Sequence, residues 1–115
     1  MIKIKSINGE VIHKVNGNTL EGADLRHANL TEADLRHANL TEADLRYANL
    51  EDADLEGANL TDTDLEGAIL SGANLTGSNY CDANLTGADL ANTIISGDTT
   101  IQRIDEDTNK DFDYV

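Results

Sequence analysis

A large apolar residue recurs at every fifth position through most of this chain: Leu20, Leu25, Leu30 and so on to Leu75, then Tyr80, Leu85, Leu90 and Ile95. Two residues ahead of every centre after Leu20, where Asn18 stands, is a small one, alanine in most units, with Thr63, Ser78 and Thr93 as exceptions. The remaining positions are mostly polar. Each five-residue unit between Asn18 and Gly97 therefore offers one large and one small candidate for the interior.

A period of five fits neither regular element. A helix turns by about 100° per residue, so residues five apart differ by about 140° and the leucines would scatter around the cylinder. In a flat strand, an odd period would send alternate leucines to opposite faces. The chain must instead bend once per unit to keep every leucine facing one axis. That makes a solenoid whose coils stack through backbone hydrogen bonds. Gly, Asn, Asp and Thr at the outer positions suit the bends. The ten residues from Arg26 to Leu35, RHANLTEADL, recur unchanged from Arg36 to Leu45. Such a duplication preserves the period and needs no functional demand for identity.

The units ADLRH, ANLTE, ANLED and ADLEG resemble the pentapeptide repeat family, whose motif is a small residue, Asp or Asn, Leu, and two variable polar positions. The resemblance implies an all-β fold, a right-handed quadrilateral parallel β-helix with one unit per side and about four coils over residues 18–97. Departures from the motif are Asn18 at a small-residue position, Ile69 and Ile94 in place of Asp or Asn, and Tyr80 in place of Leu. Tyr80 falls in the same interior column as Leu20, Leu40 and Leu60. Its hydroxyl has to leave the core or find a partner there, which implies widening toward the C-terminal end.

The ends differ from the middle. Residues 1–17 read as a β-hairpin with Asn8-Gly9 as a two-residue turn. That register puts Ile2, Ile4, Ser6, Val11, His13 and Val15 on one face, which needs cover and would cap the open coil near Leu20. Residues 98–115 form an acidic tail carrying Ile101, Ile104, Phe112, Tyr114 and Val115. Exposed β-edges invite association, so a cap is expected at both ends. The tail residues Ile101, Ile104, Phe112 and Tyr114, with Ile69 and Ile94, are candidates for a C-terminal cap or a homodimer contact.

Within 115 residues there is room for one domain, and 39% hydrophobic content with 3% aromatics fits a core of small and medium aliphatic side chains. No apolar run approaches the roughly 20 residues that span a bilayer, and the first ten residues lack the continuous apolar core of a signal peptide. A cytoplasmic protein is expected. Cys81 is the only cysteine, which rules out an intramolecular disulfide and a two-cysteine metal site.

Candidate chemistry is sparse. His27 and His37 are ten residues apart, half of a twenty-residue coil, so they face away from each other and cannot share an ion. Tyr47 rather than a histidine should stack on His27. A leucine-filled interior leaves no pocket to perturb a carboxylate, and neither a phosphate-binding loop nor a nucleophile with a base is present. No enzyme activity and no metal or other cofactor is expected.

Twenty-two acids against eight Lys plus Arg give a net charge of −14. That balance argues against direct nucleic-acid or anionic-membrane binding and fits either a solubilised surface or a basic partner. From Glu42 to Glu66 the acids outnumber Arg46 so heavily that a negative belt should girdle the middle coils. Glu42, Glu51, Asp52, Glu56, Asp62, Glu66 and Asp82 are the candidate interaction residues, with Glu42, Asp62 and Asp82 in one vertical column.

Two functions follow. The first is a small non-catalytic interaction module or scaffold for a protein partner. The second comes from the quinolone-resistance members of the family, acidic rods that resemble duplex DNA and bind type II topoisomerases such as DNA gyrase, or by extension another basic DNA-binding protein. Four coils at ~4.8 Å give roughly 19 Å, short of a duplex turn of about 34 Å. Mimicry would therefore favour a tail-to-tail dimer.

Overall fold

The computed structural model describes residues 1–96 and 99–101. Its geometry is set at the corners. The Leu25 carbonyl accepts from the Ala28 N–H at 3.1 Å, and the same three-residue closure recurs from Leu20–Ala23 through Leu90–Thr93. The third residue of each such turn has a positive φ: 61° at His27, 61° at Glu42, 58° at Asp62. That feature separates a type II from a type I turn.

The position before each leucine locks the corner. Asp24 Oδ1 accepts from the Arg26 N–H at 3.2 Å, and Asn39 Oδ1 accepts from the Thr41 N–H at 3.1 Å. A short carboxylate or amide reaching its own backbone two residues on stabilises a bend that the leucine could not hold alone. This is why Asp and Asn occupy the position.

Between corners the chain is extended just long enough to pair with the coil above and below. Leu25 N–H donates to Asp44 O at 2.8 Å, His27 N–H to Arg46 O at 3.0 Å, and Asp44 N–H back to Ala23 O at 2.9 Å. The resulting parallel bridges join residues twenty apart in four ladders, for example Asp24–Asp44–Asp64–Asn84 and Asn29–Asn49–Ile69–Asp89. The architecture is a β-helix-like solenoid, with no helix among the described residues.

Inside lie the columns that the five-residue period requires. Leu30, Leu50, Leu70 and Leu90 form one, almost wholly shielded from water, and the small residues Ala48, Ala53, Ala58 and Ala68 fill the space between columns. The two threonines that replace alanine are buried and satisfied. Thr63 Oγ1 donates to Leu40 O at 2.8 Å, and Thr93 Oγ1 to Leu70 O at 2.9 Å. Tyr80 is half-buried and packs against the core.

At the N-terminus, β1 (Ile2–Lys5) pairs antiparallel with β2 (Val11–Val15). Ile2↔Val15 and Ile4↔His13 follow the expected register, but Lys5 faces Val11 across a bulge. The turn is not the two-residue Asn8-Gly9 loop. Gly9 N–H donates to Ser6 O at 2.8 Å and Ser6 N–H to Glu10 O at 2.8 Å, which makes a three-residue loop ending at Gly9 with φ of 89°. The extra loop residue displaces the inward set near the turn: Val11 is exposed, and Ile12 packs on the core instead. Ile4 is buried as expected.

The loop end of the hairpin pairs with the edge of the coil. Asp34 N–H donates to Lys5 O at 2.7 Å and Ile7 N–H to Glu32 O at 2.8 Å, with Ser6 bridging Ala33 antiparallel. Deeper in the stack, the equivalent of Asp34 N–H donates to the previous coil, as Asp54 does to Ala33 O. The hairpin supplies the acceptor that a missing coil would have given. At the other end, β3 (Thr93–Ser96) turns back into β4 (Thr99–Ile101), antiparallel. Ile104, Phe112 and Tyr114 of the expected cap lie outside the described residues, as does the side chain of Ile101.

Candidate functional site

Four ladders divide the surface into four faces, and charge is sorted among them by the ten-residue period of the sequence. The first face, around Leu20, Leu40, Leu60 and Tyr80, carries Glu21, Glu42, Asp62 and Asp82 and no Lys or Arg. The third, across the coil around Leu30, Leu50, Leu70 and Leu90, carries Glu32, Glu51, Asp52 and Asp89, again without a base. Arg26 and Arg46 lie on the second face and Arg36 on the fourth.

These arginines are engaged by their own turns. Arg36 Nε and Nη2 reach the two oxygens of Asp34, both at 2.8 Å, and Arg26 and Arg46 hold Asp24 and Asp44 likewise. Each also leans toward an acid of the next coil: Arg26 to Asp44 at 3.7 Å and Arg46 to Asp64 at 3.7 Å. At five of the seven corners that Asn precedes, threonine takes the arginine's place, as Thr41 Oγ1 donates to Asn39 Oδ1 at 2.6 Å, while Glu51 and Cys81 stand at the other two. The alternation of Asp-Leu-Arg and Asn-Leu-Thr is thus a matched set of acceptor and donor. It is visible in the sequence, but its meaning depends on knowing that both side chains sit over one corner.

The forked Arg36 hydrogen bonds are the main reason the Asp34 carboxyl is lowered to about 2, against burial acting the other way. Asp24 and Asp44 are lowered for the same cause. A carboxyl with a folded pKa below its unfolded value of about 3.9 stabilises the fold fully above that pH, and the contribution disappears as pH falls toward 2. Exposure and screening hold the gain at Asp34 to about 0.5 kcal/mol. Asp34→Asn should therefore melt slightly lower than the native chain at pH 6 and together with it at pH 2, as followed by circular dichroism. An equal gap at both values would remove the ion pair as the cause.

The seven acids expected to bind a partner are not gathered on one face. Glu42, Asp62 and Asp82, all exposed, stack on the first, joined by Glu42 N–H to Thr61 O at 3.0 Å and Asp62 N–H to Cys81 O at 3.1 Å. Glu51 and Asp52 lie on the third, Glu66 on the second and Glu56 on the fourth. Ile69 is exposed on the third face, and Ile94 is half-buried above Asn74 on the fourth.

His27 stacks on Tyr47, with ring centroids 5.3 Å apart and planes 16° from parallel. Tyr47 in turn lies over Gly67, where a Cβ would come within 2.5 Å of its ring. His37 covers Gly57 in the same way. The two histidines occupy different corners. Among the described residues no three His, Cys, Asp or Glu side chains group as metal ligands. Cys81 is exposed, with its sulfur 3.8 Å from Asp82 Oδ2.

No ionisable side chain is buried among the described residues; the buried polar ones are Ser6, Thr63 and Thr93. An open hollow of about 480 Å³ lies between Lys14–Asn18 and the first corner, and its ionisable groups are Lys14, Glu21 and Asp24. That set contains no histidine or cysteine.

A search of curated protein sequences finds no match. Among solved structures, a pentapeptide repeat protein (Rfr23) from the cyanobacterium Cyanothece 51142 is 42% identical over 63% of this chain and 53% of its own, with a TM-score of 0.43. This chain thus spans about half the length of that protein. A pentapeptide repeat protein of the Arabidopsis thaliana thylakoid lumen is 32% identical over 84% of this chain and 75% of its own, with a TM-score of 0.42. HetL, a pentapeptide repeat protein of Nostoc involved in heterocyst differentiation regulation, is 28% identical over 72% and 49%, with a TM-score of 0.32. The family profile for pentapeptide repeats matches eight copies over residues 19–57 and 58–97. With that match spanning the ladders from end to end, the chain belongs to the pentapeptide repeat family.

Proposed function

We propose that this protein is a non-catalytic interaction module in which a right-handed, quadrilateral helix of four coils holds acidic side chains in fixed rows for a basic protein partner. Handedness follows from the general rule that a chain returning to pair in parallel within one sheet does so by a right-handed crossover. The observation that carries the functional reading is the sorting of charge. Among the described residues no ion pair joins an acid of the first or third face to a base, while the arginines on the other two are held by their own turns.

Rows of unpaired charge on a rigid support attract a complementary surface at long range, and the attraction weakens with salt. The native chain, used as bait in a cell lysate at low salt, should retain basic proteins that about 0.5 M salt releases, since screening at that strength acts within a few ångströms. A Glu42→Gln/Asp62→Asn/Asp82→Asn variant should retain far fewer. Recovery of the same set by native chain and variant alike would refute the reading.

Mimicry of DNA is the second reading, favoured by one specific feature. Glu42, Asp62 and Asp82 repeat once per coil on a face free of bases. A partner that grips a row of backbone phosphates would meet a comparable row here.

A further inference from the structure

One position breaks the rule that builds every other corner. From Thr19 to Asp89, each residue preceding a turn accepts a hydrogen bond from the backbone N–H two residues on, as Asp64 does from Glu66 at 3.2 Å and Asn74 from Thr76 at 3.0 Å. Ile69 cannot, and among the described residues it is the one such position without an acceptor. The side chain that replaces the acceptor remains 39% exposed. The corner gives up a turn hydrogen bond worth about 1 kcal/mol for an aliphatic side chain that it leaves partly open to solvent. Ile94, the other departure, is part of β3 where the chain runs into a hairpin and needs no such turn.

The surroundings of Ile69 are specific. It sits in the ladder between Asn49 and Asp89 on the third face. Beside it are the small residues Ser71 and Ala91, joined through Gly72 N–H to Ala91 O at 2.9 Å. Glu51 and Asp52 border the patch one coil below, and Asp89 borders it above. Small neighbours leave the isoleucine accessible. Acids on both sides, with no Lys or Arg on that face among the described residues, define what can cover it.

We infer that Ile69 is the apolar anchor of a docking surface on the third face that receives a partner segment carrying an aliphatic side chain between lysines or arginines. An apolar centre with a charged rim is how a flat interface concentrates its affinity, because covering the centre excludes water and strengthens the surrounding ion pairs. The acids alone would accept any basic segment on the first face as readily as on the third. The isoleucine selects one face and one kind of segment. This inference rests on the reading that the partner is basic.

The test separates the two. Two synthetic peptides of equal positive charge, one of lysine only and one with leucine between lysines, are titrated into the isotopically labelled full chain by NMR. The leucine-containing peptide should perturb backbone amides of residues 68–72 and 88–92 in preference to 38–42 and 58–62. Ile69→Asn, which restores the turn acceptor and keeps the fold, should weaken that peptide about tenfold, equivalent to about 1.4 kcal/mol, and leave the lysine peptide unchanged. Equal binding of both peptides to both acidic faces would overturn the anchor while leaving a basic partner in place. Binding of neither would overturn both. A concentration-dependent self-association of the native chain that Ile69→Asn abolishes would name a second copy as the occupant and overturn the inference as well.

Discussion

Leu50→Asp should unfold the protein. Leu50 is fully buried in the middle of the column Leu30–Leu50–Leu70–Leu90, and its N–H donates to Ile69 O at 2.7 Å. Removing a buried leucine costs about 2–5 kcal/mol by lost transfer and residual cavity. A carboxylate left there without a partner adds several more, even after its pKa rises to avoid ionisation. The whole stability of such a domain is about 5–15 kcal/mol. In a solenoid each coil touches only its neighbours, so a failed central coil withdraws an interface from both sides and damage cannot stay local.

The adjacent residue gives the control. Glu51 is exposed, and the hydrogen bond at this corner runs from its backbone N–H to Asn49 Oδ1 at 3.0 Å, which the side chain does not alter. Glu51→Lys should change stability by no more than about 0.5 kcal/mol. Circular dichroism with thermal melting reads both variants. Equal tolerance of the two would defeat the assignment of inward and outward positions.

The second large effect concerns binding. If the first face stands in for a row of phosphates, micromolar native protein at low salt should inhibit supercoiling by purified gyrase, and inhibition should fall steeply as salt shortens the screening length to about 8 Å at physiological strength. The Glu42→Gln/Asp62→Asn/Asp82→Asn variant should lose at least about thirtyfold in potency, taking roughly 0.7 kcal/mol for each exposed charge pair removed. Amide replacements suit the site because Asn tolerates the positive φ of 58° at Asp62 and 60° at Asp82, whereas a long cationic side chain would add strain. No inhibition by the native chain would sink gyrase mimicry. An acidic module directed at another basic partner would survive that result and be decided by the capture experiment.

Much of the fold was legible because the signal was periodic. Any residue five places on had to meet the same interior, so Leu25 and Leu70 could be assigned together and both are buried. The stacking of Tyr47 on His27 followed from the twenty-residue coil that the family resemblance implies and appears as a ring pair 5.3 Å apart. The hairpin turn departs from its local signal for the opposite reason. Asn8-Gly9 favours a two-residue loop locally, yet Ser6 O accepts from Gly9 N–H and the Ser6 side chain accepts from Asn8 N–H at 3.2 Å, and β1 must also pair with Ala33 and Asp34 of the coil. That pairing is made with residues far along the chain, which no short-range rule contains.

The candidate surface shows the same division. Sequence by itself determined that a leucine every five residues needs a corner every five and that acids dominate outside, whereas the stacking of residues twenty apart was implied by the resemblance to the pentapeptide repeat family. The corner comes from chain geometry and applies to each unit separately. Only the tertiary structure decided which acids the arginines of the coils neutralise, because neutralisation depends on Arg36 folding back on Asp34 and leaning 4.0 Å from Asp54 of the next coil. And it decided that Ile69, one apolar letter among many, is the corner without its hydrogen bond, since the value of that position lies in a backbone N–H that the sequence does not display.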